Sequence, residues 1–186
     1  MPGAGRAAPG TALRLDTFAG MSAENEVMAW EDLGTGARDL AERIQADGFE
    51  PDVILAIARG GLLVAGALGY ALGVKNTYTM NVEFYTGPDE RLPAPMILPP
   101  VPELVDLTEA NLLIADDVAD TGRTLALVKD FCVGKVAEVR TAVLYVKPAS
   151  VVSCDYVWRT TDRWITFPWS ALPPVGEAAA TPAFQA

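Results

Sequence analysis

The hydrophobic pattern of the chain alternates between amphipathic stretches of helical spacing and short, continuous apolar runs. Apolar residues recur every three or four positions over residues 30–44, which predicts a helix that ends before Gly48. The unbroken apolar run Val53–Ala58 is typical of a strand that is buried on both faces. The Ala- and Leu-rich stretch 62–72, closed by Gly73, predicts a second helix.

The same alternation continues towards the C-terminus. Strands are predicted over 77–84, 112–117, 139–146 and 156–158, with a third helix after residue 120. Strands that alternate with helices indicate an α/β fold, in which helices flank a mainly parallel, twisted sheet. We expect a disordered extension over 1–24, one domain over 25–171, and a flexible tail over 172–186. The proline-rich stretch at about 85–110 is predicted to be a long flexible loop, and a loop of this length is more often a functional lid than filler.

Composition excludes several classes of function. The net charge of −10 argues against a nucleic-acid surface, and no apolar run is long enough to cross a membrane. The absence of histidine excludes Ser-His and Cys-His catalysis and histidine metal sites. Two cysteines without metal-type spacing, and no basic-apolar leader near the N-terminus, indicate a cytoplasmic protein.

The most informative stretch is 112–124, an apolar run followed by two acids and then by Asp-Thr-Gly-Arg-Thr over 120–124. Free backbone amides at a helix start, with threonine hydroxyls and a glycine, form a favourable site for a phosphate. An ordinary helix cap is the alternative, and it would be preferred if the five residues stood alone. The loop is neither a Walker loop nor a dinucleotide-binding turn, because the glycines and lysine of those motifs are missing.

Asp116 and Asp117 form an acidic pair at the predicted end of the strand. Two adjacent carboxylates repel each other unless hydroxyl donors or a cation compensate their charge. A sugar diol or Mg²⁺ would do so, since magnesium commonly takes one or two carboxylates together with substrate oxygens. A solvated acidic turn is the alternative.

Three more side chains are candidates because they belong to loops near the same predicted sheet edge or to the segment that follows. Arg59 follows a buried strand and precedes two glycines, which favours a diphosphate contact over a surface ion pair. Lys147 ends a strand before Pro148 and is as easily a solvated lysine as a ligand contact. Trp164, placed by the pattern in a loop, is the best tryptophan for stacking on a planar ring, although it could belong to the core.

These motifs resemble a known family. The segment 112–125 resembles the 5-phosphoribosyl-1-diphosphate (PRPP) signature of the type I phosphoribosyltransferases, and 57–62 resembles their diphosphate loop. Residues 83–85 are similar to the start of the mobile hood. The stretch from Lys147 through Trp169 resembles the C-terminal part of bacterial xanthine-guanine phosphoribosyltransferases. The resemblance extends over about 30–174.

The resemblance implies transfer of the 5-phosphoribosyl group from PRPP to a 6-oxopurine (guanine, xanthine or hypoxanthine), with Mg²⁺ as cofactor and diphosphate as product. It implies that Asp120 is the catalytic general base or acceptor, and that Asp117 reaches the metal. Lys147 would contact the 6-oxo group, Trp164 would stack on the base, and the Ile165 backbone would meet the ring edge. The implied PRPP-binding residues are Arg59, Gly60, Asp116, Asp117, Asp120, Thr121, Gly122, Arg123 and Thr124.

Other outcomes stay open at this point. The same signature occurs in non-catalytic PRPP-binding regulators and in transferases with a non-purine acceptor. The family usually has a basic residue in the hood, and Arg91 is the only basic residue of this chain in that segment. The expected partners are PRPP and a purine base, without nucleic acid or membrane, and with a homo-oligomer as a further expectation.

Overall fold

The computed structural model describes residues 25–83, 86–87, 90–91, 96–98 and 107–175. The predicted extension 1–24 and all but the first four residues of the predicted tail lie outside the described residues. Most of the hood loop does so as well. In the described part, no helix has the length and apolar character needed to cross a membrane.

The elements follow one another as strands and helices in alternation over most of the chain. They are β1 (Asn25–Val27), α1 (Trp30–Ala46), β2 (Val53–Ala58), α2 (Gly60–Leu72), β3 (Thr77–Glu83), β4 (Thr86–Gly87), β5 (Glu90–Arg91), β6 (Met96–Leu98), β7 (Asn111–Ala119), α3 (Arg123–Cys132), β8 (Glu138–Val146), β9 (Tyr156–Thr160) and β10 (Trp164–Thr166).

The central sheet has six strands in the order β6-β3-β2-β7-β8-β9. All neighbours pair in parallel except β6, which runs antiparallel to β3. Alternate residues of β2 point to opposite layers: Ile54 packs in the layer of α1 and α2, whereas Leu55 packs in the layer of α3. Each fully buried aliphatic side chain of this kind contributes about 1.5–3 kcal/mol. The predicted α/β class, a mainly parallel sheet with helices on both faces, is confirmed.

Local signals placed several boundaries correctly. The predicted strand Val53–Ala58 is confirmed residue for residue, and α2 ends at Gly73, whose φ of 74° closes the helix. Strand β7 is longer than predicted, because β8 continues beside it through the pair Ala119↔Val146. Asp116 therefore lies inside a strand and not at its end, and the same is true of its neighbour in the acidic pair.

A small second sheet was not predicted. Strand β1 pairs in parallel with β10, in the register Asn25↔Trp164 to Val27↔Thr166. The prediction of a loop at Trp164 was wrong, since this residue begins β10. Three-residue strands carry no periodicity that a sequence could reveal, and these two are made by pairing between distant segments. The pairing brings the N-terminal end of the described chain beside Trp164.

Candidate active site

Three loops follow the adjacent parallel strands β2, β7 and β8, and they meet at the carboxyl edge of the sheet. They are 59–61, which we call the diphosphate loop, 120–124, the phosphate loop, and 147–152, the lysine turn. This edge is where open α/β sheets bind their ligands. The strand order and register bring all three loops to the same edge of the sheet, as predicted.

The acidic pair lies beneath these loops and is largely shielded from water. Asp116 is 9% exposed, and its Oδ1 accepts a 2.9 Å hydrogen bond from the amide of Asp117. Asp117 Oδ1 in turn accepts a 2.8 Å bond from the amide of Val118. Burial, and then the charge of Asp117, raise the pKa of Asp116 well above its ordinary value. Such a pair calls for a cation or hydroxyl donors.

The diphosphate loop lies directly against the acidic pair. A Cβ on Gly60 would fall 1.8 Å from Asp117 Oδ2, and one on Gly61 would fall 2.5 Å from the carbonyl oxygen of Ala115. Only glycine permits this close approach of the N-terminus of α2 to β7. The peptide bond between Ala58 and Arg59, at the start of this loop, is cis. Arg59 itself is exposed, and no ion pair involves it within the described residues.

The phosphate loop opens α3 without an ordinary side-chain cap. The N-cap residue is Gly122, with a φ of 73°, and no side chain caps the helix there. Thr121 Oγ1 accepts only a long 3.4 Å hydrogen bond from the amide of Arg123. The alternative of a simple helix cap is therefore poorly supported. The start of α3 therefore remains available to an anion. The partial positive charge of a helix N-terminus favours such binding.

The candidates for base recognition stand beside this loop. Lys147 Nζ lies 3.7 Å from Asp120 Oδ1 and 5.6 Å from the ring centroid of Trp164, within cation–π range. The Trp164 ring is 50% exposed and so is free to stack on a ligand. Ile165 is 7% exposed, so its side chain belongs to the core and only its backbone can meet a ligand edge.

Two residues of the site were missed at the sequence level. Trp169 is the first: burial raises the pKa of Asp117, and the amide of Val118 and then the side chain of Trp169 oppose that rise. Its ring stacks on Phe167 at 4.8 Å and meets Trp30 at 5.9 Å. Ser150, in the lysine turn, packs against Gly122. No local signal reveals either contact, because each joins residues from distant parts of the chain.

The donor set suits magnesium only in combination with a substrate. Within the described residues no group of three or more Cys, Asp or Glu side chains could enclose a metal ion. The two carboxylates of Asp116 and Asp117 are adjacent, poorly solvated and short of compensating charge. This fits Mg²⁺, which binds through one or two carboxylates, waters and substrate phosphates.

The fold and the candidate site define an α/β protein with three loops that meet at the carboxyl edge of the sheet, one of them a phosphate-type loop at the start of a helix. Residues 24–173 match the model of the phosphoribosyl transferase domain. The chain belongs to this family.

Relatives and solved structures agree with that assignment. A xanthine-guanine phosphoribosyltransferase of Cereibacter sphaeroides is 31% identical over 149 residues, which cover 76% of this chain and 84% of that protein. The structure of a purine phosphoribosyltransferase from Pyrococcus horikoshii is 33% identical, with a TM-score of 0.71, and the match covers 83% of this chain and 99% of that one. A hypothetical protein from Neisseria gonorrhoeae with bound ppGpp is 26% identical, with a TM-score of 0.66, over 80% of this chain and 90% of that one.

Proposed function

We propose that this phosphoribosyltransferase transfers the 5-phosphoribosyl group of PRPP to a 6-oxopurine, with Mg²⁺ as cofactor, in purine salvage. The observation that carries the proposal is the grouping of Lys147, Asp120 and Trp164 beside the phosphate loop. A cation, a carboxylate and an exposed aromatic face suit a flat ring with an oxo group and a ring nitrogen. The names of the purine-transferring relatives support the same choice.

Lys147 would distinguish an oxo group from an amino group. An ammonium offers hydrogen-bond donors only, so a 6-oxo oxygen satisfies it and a 6-amino group does not. The Lys147 ammonium forms an ion pair with Asp120, with Nζ 3.7 Å from Oδ1. The oxo group of a bound 6-oxopurine would replace Asp120 as the partner of the lysine. Asp120 would then interact with a ring nitrogen of the purine. Trp164 would stack on the ring, and the Ile165 backbone would meet its edge.

The remaining candidates would hold PRPP. The phosphate loop, with Thr121, Gly122, Arg123 and Thr124, would bind the 5-phosphate through amides and hydroxyls at the start of α3. Asp116 and Asp117 would accept hydrogen bonds from the ribose hydroxyls. The diphosphate would lie at Arg59 and Gly60.

The reaction follows from these positions. A purine nitrogen bonds to the anomeric carbon as the bond from that carbon to the diphosphate oxygen breaks, so that diphosphate leaves with the bonding electrons. Positive charge develops on the sugar, and the carboxylates of Asp116 and Asp117, which are proposed to bind the ribose, would stabilise it. Asp120 would accept a proton or a hydrogen bond from the purine, which typically accelerates such a step by about 10²- to 10⁴-fold.

Asp117, with Asp116 behind it, would hold Mg²⁺ directly or through water. Bound there, the ion would neutralise charge on the diphosphate. The guanidinium of Arg59 adds positive charge in the diphosphate loop. Because this side chain is exposed, it is free to turn towards the ligand.

Two further expectations are part of the proposal. We place the protein in the cytoplasm, which the two free cysteines support. We also expect a homo-oligomer, because α2 carries no charged residue and exposes apolar side chains, among them Tyr70 at 95%. Light scattering of the purified protein would test the second expectation.

A regulator that binds but does not convert its ligand is the second candidate. The structure from Neisseria gonorrhoeae supports it, because that protein binds the nucleotide ppGpp on a similar fold. A transferase with a non-purine acceptor is a third reading.

Diphosphate release and PRPP binding together separate these outcomes. We expect Mg²⁺-dependent diphosphate release from PRPP when guanine, xanthine or hypoxanthine is added, and PRPP binding by calorimetry without a base. Binding without release on any base would favour the regulator. Release with uracil or orotate alone would favour the third reading.

A further inference from the structure

The lysine turn supports the phosphate loop through two backbone hydrogen bonds. The amide of Lys147 donates to the carbonyl oxygen of Ala119 at 3.0 Å, and the amide of Val151 donates to that of Thr121 at 2.9 Å. The first bond lies just before the phosphate loop and the second lies within it. This second bond directs the Thr121 carbonyl oxygen away from the start of α3. If it pointed there, its partial negative charge would oppose an approaching phosphate.

Ser150 holds the turn in the shape that makes the second bond. Its hydroxyl donates to the carbonyl oxygen of Val152 at 3.1 Å and accepts from the amide of Val152 at 3.3 Å. The amide of Ser150 also donates to the carbonyl oxygen of Lys147, at 3.0 Å. The peptide unit that carries the Val151 amide lies between these anchors. Its direction towards Thr121 is set by them.

The same hydroxyl also packs against the phosphate loop itself. A Cβ on Gly122 would fall 2.3 Å from Ser150 Oγ, and 3.1 Å and 3.3 Å from the amide nitrogens of Val152 and Val151. Gly122 is the N-cap of α3, with a φ of 73°, so its position sets where the first free amides of the helix point. Ser150 therefore packs against the phosphate loop and also stabilises the lysine turn.

We propose that Ser150 is a positioning residue for the phosphate loop, which it holds in the geometry that accepts the 5-phosphate of PRPP. The inference rests on the proposed function, in which the loop binds that phosphate. Ser150 acts through Gly122 and through the bond from Val151 to Thr121, and it is not among the residues proposed to contact the purine. Its effect therefore falls on PRPP and not on the base.

Ser150→Ala tests the proposal, because it removes the hydroxyl and adds no bulk. We expect the KM for PRPP, and its dissociation constant by calorimetry, to rise about three- to tenfold, as the loss of one hydrogen bond predicts. The kcat and the KM for guanine should stay within about twofold of the wild type. Ser153→Ala is the matched control, since Ser153 is exposed and follows the same turn, and it should change none of these values.

A double-mutant cycle tests the contact with Gly122 separately. In Gly122→Ala the new methyl group meets Ser150 Oγ, so that removing this oxygen relieves part of the strain. We expect the double variant Gly122→Ala/Ser150→Ala to bind PRPP more tightly than the product of the two single losses predicts. Strict multiplication of the two losses would contradict the contact.

Other outcomes are equally distinct. An unchanged PRPP affinity in Ser150→Ala would overturn the proposal, while the proposed function would stand. A proportionate loss of PRPP affinity and guanine affinity, with a large fall in Tm, would show a merely structural role and would also overturn it. Calorimetry needs no base, so a wild-type protein that binds PRPP without turnover still tests Ser150. Failure of the wild type to bind PRPP would contradict the proposed function and this inference with it.

Discussion

The carboxylate of Asp117 lies directly against the Cα of Gly60, so that a Cβ on Gly60 would fall 1.8 Å from its Oδ2 and 2.3 Å from its Cγ. The contact joins the diphosphate loop to the acidic pair. In the proposed function it holds the diphosphate site and the ribose-metal site in one fixed relation. The diphosphate loop cannot move closer to the Asp117 carboxylate without a steric clash.

Gly60→Ala should therefore disable the site. The methyl group must displace either the Asp117 carboxylate or the start of α2, and overpacking of this kind costs about 1–3 kcal/mol. We expect kcat/KM for PRPP to fall by roughly tenfold to a hundredfold. Gly66→Ala, on the same helix and with no atom near the new methyl group, is the control and should keep full activity. Wild-type kinetics in Gly60→Ala would show that the contact is not required.

Asp120→Asn tests the proposed proton acceptor. The amide keeps the size of the side chain but cannot accept a proton as the carboxylate does, so kcat should fall about 10²- to 10⁴-fold. PRPP affinity by calorimetry should change little, because backbone amides make most of the proposed phosphate contacts. Asp130→Asn, at an exposed position on α3, is the control. If Asp120→Asn turned over at the wild-type rate, Asp120 would have no catalytic role.

Lys147→Met tests recognition of the base. Methionine keeps much of the length of the side chain and removes the charge that a 6-oxo oxygen would contact. We expect kcat/KM for guanine to fall about tenfold to a hundredfold, as for a lost charged hydrogen bond of roughly 1.5–3 kcal/mol. Activity with adenine should not fall in parallel. Lys75→Met, at an exposed position, is the control, and an equal loss on both bases would contradict the assignment.

The substitution Asp116→Asn should lower the activity of the protein and raise its thermal stability. Burial and then the charge of Asp117 raise the pKa of Asp116 above its ordinary value of 3.8, so the folded state holds the proton more tightly than the unfolded state. Ionisation therefore costs stability increasingly as the pH rises from about 4 towards the folded-state pKa. Asparagine escapes that cost and can still accept the bond from the Asp117 amide.

The measurement is thermal unfolding without Mg²⁺ or PRPP. Tm should rise by about 2–8 °C at pH 7, which corresponds to roughly 1–2 kcal/mol in a chain of this size, and the gain should shrink towards pH 4. Asp162→Asn, at an exposed position, should leave Tm nearly unchanged at either pH. A gain that is constant with pH would show that the charge of Asp116 is not its source.

The parts of the fold that could be predicted carry their signal within a few residues. The apolar run of β2, the glycine that closes α2 and the acidic pair before the phosphate loop are all local patterns. Residue 164 and its three-residue strand were misjudged because β10 exists only through pairing with β1. The length of β7 was missed for a similar reason, since β8 supplies its last partners.

The candidate site divides in the same way. Its polar groups could be found because they lie in loops that follow adjacent parallel strands or, for the acidic pair, near the end of one such strand. The supports behind those groups could not, because Ser150 and Trp169 have ordinary neighbours in sequence and acquire their roles through Gly122 and Asp117. The roles of the ligand-binding residues remain predictions, which the variants above test one by one.

One competition experiment tests the central claim most directly. The purified protein is given Mg²⁺ and a limiting amount of PRPP, together with equal concentrations of guanine, xanthine, hypoxanthine, adenine and uracil, and the nucleotides formed are separated by chromatography. We predict monophosphates of one or more of the 6-oxopurines, in amounts equal to the diphosphate released. Formation of the adenine or uracil nucleotide in their place would contradict the claim. Binding of PRPP without formation of any nucleotide would contradict it as well.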